Sequence, residues 1–185
     1  MPAWLRIAGW AVTVGAIAVY LVMVTVTLPH LMALAGQPVF DLMPGGYDID
    51  TARSILTALG EEGRSYYVGV QHVLDAAFPP LLGLTLAYWL WRTGRRWRDQ
   101  GLPMRPIVMG LLIGFAFLAT AFDLAENAMV GQMLDLGAEG LTEPLVNAAS
   151  TFTLGKATVS SIAYTALLVL ALGPWVAGLL NKRQG

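Results

Sequence analysis

Four ionisable side chains lie within segments that are otherwise apolar enough to cross a bilayer: Asp75, Asp123, Glu126 and Lys156. A charged residue at the centre of a membrane helix costs about 2.5–3.5 kcal/mol on insertion scales, and such residues usually serve a function. Lys156 can neutralise one carboxylate, whereas the other two repel each other and are desolvated. We therefore expect at least one acid to be protonated near neutral pH. A neutral acid beside an ionised base suits general acid–base catalysis, so all four are predicted to be catalytic.

Polar neighbours repeat at helical spacing and predict that these groups face one interior. Asp123 and Glu126 are three residues apart and share a helix face. Polar residues spaced in this way within a membrane turn towards the bundle rather than the lipid. We expect substrate-binding side chains beside the acids. The predicted set is Tyr67, Gln71, His72, Asn127, Ser160 and Tyr164.

The depths of three of these groups coincide. At a rise of 1.5 Å per residue, Asp75, Asp123 and Lys156 each lie about 15 Å from the external end of their helix. That depth is near half of a hydrocarbon core of about 30 Å, so three helices are predicted to bring ionisable groups to one level. Glu126 and Asn127 lie one turn further out.

Composition sets the class of protein. Hydrophobic residues make up 56% of the 185 residues and charged residues 12%, and the mean hydropathy is +0.62. Typical globular chains are about 45–50% apolar and about 25% charged. We predict an all-α integral membrane protein that forms a single domain over residues 1–185. Its four spanning helices, each of about 20 residues or more, are predicted at about 7–28, 66–91, 107–133 and 145–180.

The first apolar segment can be interpreted either as a signal peptide or as a retained membrane helix. Ala33 to Ala35, before Gly36, resemble a signal-peptide cleavage site. The apolar run before them is longer than the usual signal-peptide core of about 7–15 residues, so we expect a retained helix. Pro29 is expected to end that helix, because proline lacks the N–H that a helix needs.

The connection over residues 30–65 is longer than the usual range of about 2–8 residues between bundle helices, which favours a lid or binding loop. Residues 40–46 are predicted as a turn. Asp48 or Asp50 can cap a short amphipathic helix that ends at Gly60. That helix is expected to lie on the membrane surface or to fold over the mouth of the bundle. Its apolar face consists of Ile55, Leu56 and Leu59. The predicted fold is a four-transmembrane-helix antiparallel bundle with this helix in the first external loop.

Charges are sorted between the two ends of the helices. Basic residues accumulate on the cytoplasmic side of short loops, which predicts cytoplasmic termini in the plasma (inner) membrane. All six Trp residues lie towards the same end, where they would anchor the bundle. We interpret the basic run of residues 92–98 as this topology signal rather than as a lipid headgroup site. The basic side carries Arg6, Arg92, Arg95, Arg96, Arg98, Arg105, Lys182 and Arg183.

Two backbone features have alternative interpretations. Pro79 and Pro80 follow Asp75 by one turn and predict either a break that opens a cavity or an ordinary kink. Gly110 and Gly114 form a G-x-x-x-G pattern, which lets helix backbones approach closely, either within the bundle or in a dimer.

Several function classes are excluded. The chain has no cysteine, which excludes disulfides, zinc–thiolate sites and thiol catalysis. It has no basic patch with interleaved aromatic residues, so no nucleic acid is predicted as a partner. Metal ligands in helix bundles are typically histidine and carboxylate side chains, and the predicted interior has His72 and Asp75 facing Asp123 and Glu126. They lack a second histidine, and Lys156 adds competing charge, so we predict neither a metal nor a cofactor.

Three function classes are then left. The first is binding or acid–base processing of a lipophilic substrate, lipid- or isoprenoid-like, with membrane lipids as partners. The second is a proton- or ion-coupled carrier, which would need an oligomer because four helices enclose little volume. The third is an accessory or assembly subunit of a membrane complex. A homo-oligomer stays open in each case.

Overall fold

The computed structural model describes residues 1–182, with side chains described as far as Val176. These residues are helical and include no strand. Of the predicted basic side, Arg183 and the side chain of Lys182 lie outside the described part. The helices are α1 (Ala3–Val22), α2 (Leu28–Ala35), α3 (Ile49–Tyr66), α4 (His72–Asp99), α5 (Pro106–Leu136) and α6 (Glu143–Lys182). Two π-helical turns, Met23–Thr27 and Tyr67–Gln71, join α1 to α2 and α3 to α4, and 3₁₀ turns form at Phe40–Leu42 and Ala138–Gly140.

Four helical stretches are long and apolar enough to cross a membrane, as the sequence predicts. They extend beyond the predicted ranges at most ends. The stretches are Ala3–Ala35, Ile49–Asp99, Pro106–Leu136 and Glu143–Val176. Helix α5 packs between α4 and α6, and α1 lies along α4.

The first long helix does not end at Pro29, and that prediction is wrong. The helix continues to Ala35 and ends at Gly36, whose left-handed φ of 62° suits glycine. Immediately before Pro29, the N–H of Leu28 bonds to the carbonyl of Met23, five residues earlier. Because the π-helical turn has already rerouted the backbone hydrogen bonds, the helix tolerates a residue without an N–H.

Helix α3 begins where the sequence predicts a cap. The carboxylate of Asp48 accepts a hydrogen bond of 2.8 Å from the N–H of Thr51. At Gly60 the backbone leaves the helical region, with φ 60° and ψ −163°. The helical path resumes after this kink and leads into α4, so residues 61–66 belong to the second long helix.

Residues 36–59, which we call the capping segment, are folded against the ends of three helices. The apolar face of α3 is buried in a cluster with residues of α2, α5 and α6. Phe40 and Tyr47 of the same segment are also buried there. Burial of these side chains explains why the segment is ordered over a length that exceeds most connections. The cluster includes Leu31, Ile55, Leu56, Leu59, Met133, Leu134 and Val146.

A second apolar cluster fills the space between α4, α5 and α6 towards the tryptophan-rich end. It contains Leu86, Leu90, Ala116, Ala163 and Leu170. In contrast, Gly110 and Gly114 are exposed, and no described atom beyond the adjacent residues and the local helix backbone lies within 4 Å of a Cβ built on either. The G-x-x-x-G pattern therefore makes no tight contact with the part of the chain that the structure describes, which corrects the first of the two interpretations.

Candidate functional site

Ionisable groups from three long helices and the capping segment line one cavity of about 250 Å³. Asp75 of α4, Asp123 of α5 and Lys156 of α6 all reach it, together with Asp41. The remaining lining is apolar or aromatic and comes mainly from α1, α2 and α4. It includes Tyr20, Met23, Leu28, Leu42 and Phe78. Three of the four side chains predicted to be catalytic thus meet in one place.

Lys156 lies between two carboxylates. Its ammonium nitrogen is 3.2 Å from Asp123 Oδ1 and contacts Glu126 Oε2 even more closely. The side chain of Glu126 is only 3% exposed, and its other oxygen accepts a 2.6 Å hydrogen bond from the hydroxyl of Thr153. Glu126 is absent from the cavity lining. It contacts Lys156 one helical turn beyond Asp123, so it adjoins the cavity only through Lys156, and its predicted catalytic role stays a prediction.

Asp75 is oriented by a hydrogen-bond chain that crosses both π-helical turns. The side-chain nitrogen Nε2 of Gln71 donates a 2.9 Å hydrogen bond to Asp75 Oδ1. The side-chain oxygen Oε1 of Gln71 accepts a hydrogen bond from the hydroxyl of Thr27. Gln71 is fully buried and Asp75 is 5% exposed. The side chain of Gln71 therefore positions the acid rather than lining the cavity as a substrate contact. Such π-helical turns frequently occur at functional sites.

The proline pair does not break α4, which runs uninterrupted from His72 to Asp99. Pro79 lacks the N–H that would pair with the carbonyl of Asp75, four residues earlier. The side-chain amide of Asn127 donates a 2.8 Å hydrogen bond to that carbonyl instead. Asn127, predicted to bind substrate, therefore supports the backbone that carries Asp75.

Asp41 is a cavity-lining acid that the sequence interpretation missed. The hydroxyl of Tyr67 donates a hydrogen bond to its carboxylate, so Tyr67 holds an acid in place instead of facing the cavity. Burial raises the pKa of Asp41 above its ordinary value. The available signal was the apolar pair around it, Phe40 and Leu42, since an acid within a solvated turn is normally flanked by polar residues.

The other predicted binding residues lie outside the cavity. The imidazole of His72 lies against Gly131 of α5, and the partly buried Ser160 is absent from the cavity lining. Tyr164 lines a neighbouring groove. Among residues 1–176, no cluster of three His, Asp or Glu side chains is arranged to hold a metal ion.

That neighbouring groove, of about 290 Å³, is nearly all apolar and lies between α1, α4 and α6. It shares Tyr20 and Phe78 with the cavity. These two rings stack with centroids 5.9 Å apart. The groove therefore adjoins the carboxylates through an aromatic pair, and the half-exposed Tyr20 and Ile17 place its edge at the outer surface of the helices. The remaining lining is Thr13, Ala16, Leu82, Thr85 and Tyr164.

Comparison of the chain with protein families, with curated proteins and with solved structures gave no significant match.

Proposed function

We propose that the protein binds a lipophilic, lipid- or isoprenoid-like ligand in the carboxylate-lined cavity and acts on it by proton transfer. One observation carries this proposal. Asp75 and Asp41 line one cavity, and an apolar groove at the outer surface of the helices adjoins that cavity and shares Tyr20 and Phe78 with it. The proposal requires that these two rings separate to let an apolar chain pass from the groove to the acids.

The contacts suggest different roles for the acids. Lys156 is paired with Asp123 and Glu126, which places a positive charge beside both carboxylates. Among the side chains described, neither Asp75 nor Asp41 forms an ion pair, and both accept hydrogen bonds from the neutral groups of Gln71 and Tyr67. We assign the exchangeable proton to Asp75 and Asp41, and the stabilisation of positive charge on the ligand to Asp123. Proton transfer of this kind needs only a protonated acid and an ionised base, without a further reactant.

The proposal includes the arrangement of the chain in a membrane. We infer an antiparallel four-helix bundle in the plasma (inner) membrane, with cytoplasmic termini and the amphipathic helix of the capping segment in the first external loop. The arginine- and tryptophan-rich end of the long helices supports this orientation, because basic residues and interfacial aromatics favour the cytoplasmic side.

The contacts argue against a carrier and favour an accessory subunit as the second candidate function. A carrier needs polar groups accessible from both sides, whereas the apolar cluster around Leu86, Leu90 and Leu170 occupies the interior on the inner side of the cavity. The second candidate is an accessory subunit that pairs with another membrane helix through α5. The exposed Gly110 and Gly114 favour it, because small residues on a lipid-facing helix allow a partner helix to approach closely.

Hydrogen–deuterium exchange on carbon tests the acid–base proposal and does not require that the ligand be identified first. The purified protein is incubated in D₂O with a total lipid extract, and recovered lipids are examined by mass spectrometry for deuterium on carbon. We expect incorporation with the wild type and loss of it with Asp75→Asn. Asp50→Asn, which removes an exposed acid of the capping segment, serves as the matched control. Absence of incorporation in the wild type, or equal incorporation with Asp75→Asn, would refute the proposal.

A further inference from the structure

Four arginines surround one depression at the end of the helices remote from the carboxylates. Arg6 of α1 and Arg92, Arg95 and Arg96 of α4 line a space of about 240 Å³. Asp99 is the one acid among its lining residues. Arg92 lies seventeen residues after Asp75 on the same helix, which corresponds to about 25 Å. This depression is therefore separate from the carboxylate-lined cavity.

None of these arginines is neutralised by an ion pair in the described part of the chain, where the ion pairs involve Arg53 and Lys156. Two of the guanidinium groups are nevertheless held in place. Arg92 donates a 3.1 Å hydrogen bond to the hydroxyl of Tyr88. Its guanidinium carbon lies 5.4 Å from the ring centroid of Trp89, and that of Arg95 lies 5.2 Å from the Trp91 ring. Stacking of this kind orients the planar donors before a ligand arrives.

An apolar groove begins at the edge of the same depression. Arg6 and Arg92 line both features. The groove, of about 800 Å³, follows the outer face of α1 past Ile7, Trp10 and Val14. These side chains are 70%, 52% and 60% exposed. A ligand with an anionic head and an apolar chain would match both parts at once.

We infer that this depression and groove form a binding site for an anionic phospholipid, which revises the interpretation of the basic run of residues 92–98 as a topology signal alone. The arginines would hold the phosphate of the headgroup, because guanidinium groups donate paired hydrogen bonds that match phosphate oxygens. One acyl chain would lie along α1 over Trp10 and Val14. Four clustered arginines beside one acid favour a lipid of net negative charge over a zwitterionic one.

Native mass spectrometry of the detergent-solubilised protein tests the inference. Phosphatidylglycerol and phosphatidylcholine with identical acyl chains are titrated in parallel, and glycerol phosphate is used in a separate arm. We expect preferential binding of phosphatidylglycerol and a loss of about thirtyfold in its affinity with Arg92→Gln/Arg95→Gln. If the double variant does not fold, Arg95→Gln alone replaces it, because Arg95 is at an exposed position. This single variant should lower the affinity for phosphatidylglycerol by about fivefold.

The controls distinguish binding at this specific site from non-specific electrostatic attraction of anionic lipid to the basic end of the helices. Arg98→Gln/Arg105→Gln removes two charges outside the lining and is expected to retain phosphatidylglycerol. Val14→Gln should weaken lipid binding through the groove alone. Equal binding of the two lipids, or an equal loss with the control variant, would overturn the inference. Full competition by glycerol phosphate would also overturn it, by identifying a site for soluble phosphate.

Discussion

Lys156→Met should strongly destabilise the protein, because Lys156 holds two carboxylates at once. Its ammonium group contacts Glu126 and lies 3.2 Å from Asp123. The Lys156 side chain is 25% exposed, whereas that of Glu126 is 3% exposed. Removing one partner of a buried ion pair costs about 3–5 kcal/mol, since the other charge is left buried without compensation. We expect a loss of free energy of unfolding within that range.

A double-mutant cycle assigns the loss to the ion pair. Glu126→Gln removes the more deeply buried charge, and its amide oxygen can still accept the hydrogen bond from Thr153. The variant Lys156→Met/Glu126→Gln leaves neither of these two charges. We expect it to be more stable than Lys156→Met alone, with a coupling energy of about 1–3 kcal/mol.

Unfolding by SDS in mixed micelles, followed by circular dichroism, measures each free energy. Arg53→Met is the control, because it breaks an ion pair with Asp50 whose side chains are 47% and 88% exposed. Exposed pairs contribute less than about 1 kcal/mol. Equal losses for Lys156→Met and Arg53→Met, or a cycle without coupling, would contradict a buried ion pair at Lys156.

Three further changes test the surroundings of the site. Asn127→Leu leaves the carbonyl freed by Pro79 without a donor and should cost about 1–3 kcal/mol in the same SDS assay; Pro79→Ala should recover part of that loss by restoring an N–H. Gly83→Ala should also destabilise by about 1–3 kcal/mol, because its Cβ would clash with a threonine hydroxyl of α5, whereas Gly110→Ala should not. Burial raises the pKa of Asp41, so the wild type should lose thermal stability relative to Asp41→Asn as the pH rises from about 4 through that raised pKa; melting curves that shift in parallel would contradict this.

The long helices and the meeting of three charged groups could be predicted because both follow from local regularities. Hydropathy identifies each spanning stretch independently of its neighbours. The constant rise of a helix is enough to bring Asp75, Asp123 and Lys156 to one depth. Helix ends were predicted less well. Proline normally stops a helix, but the π-helical turn before Pro29 accommodates it and the helix continues.

The flanking Phe40 and Leu42 signal that Asp41 is buried, but its place in the cavity could not be predicted, because it depends on contacts distant in sequence. It reaches the cavity because Phe40 and Tyr47 of the capping segment are buried against the long helices. No spacing rule connects residue 41 with Tyr67, its hydrogen-bond donor. Glu126 shares a helix face with Asp123, as predicted, but the face alone does not show that Lys156 stands between Glu126 and the cavity.

The π-helical turn at Tyr67–Gln71 has a genetic consequence. It contains one residue more than an α-helical turn would, and successive residues of a helix are rotated by about 100°. Loss of the codon for Val68, an exposed side chain, would let the backbone close into an unbroken α-helix. The residues before the deletion, including the capping segment, would then be rotated by about 100° about the helix axis relative to Asp75. A shorter and more regular helix would thus displace Asp41 from Asp75, and a second deletion within Met23–Thr27, the π-helical turn opposite, is where we would look for a suppressor.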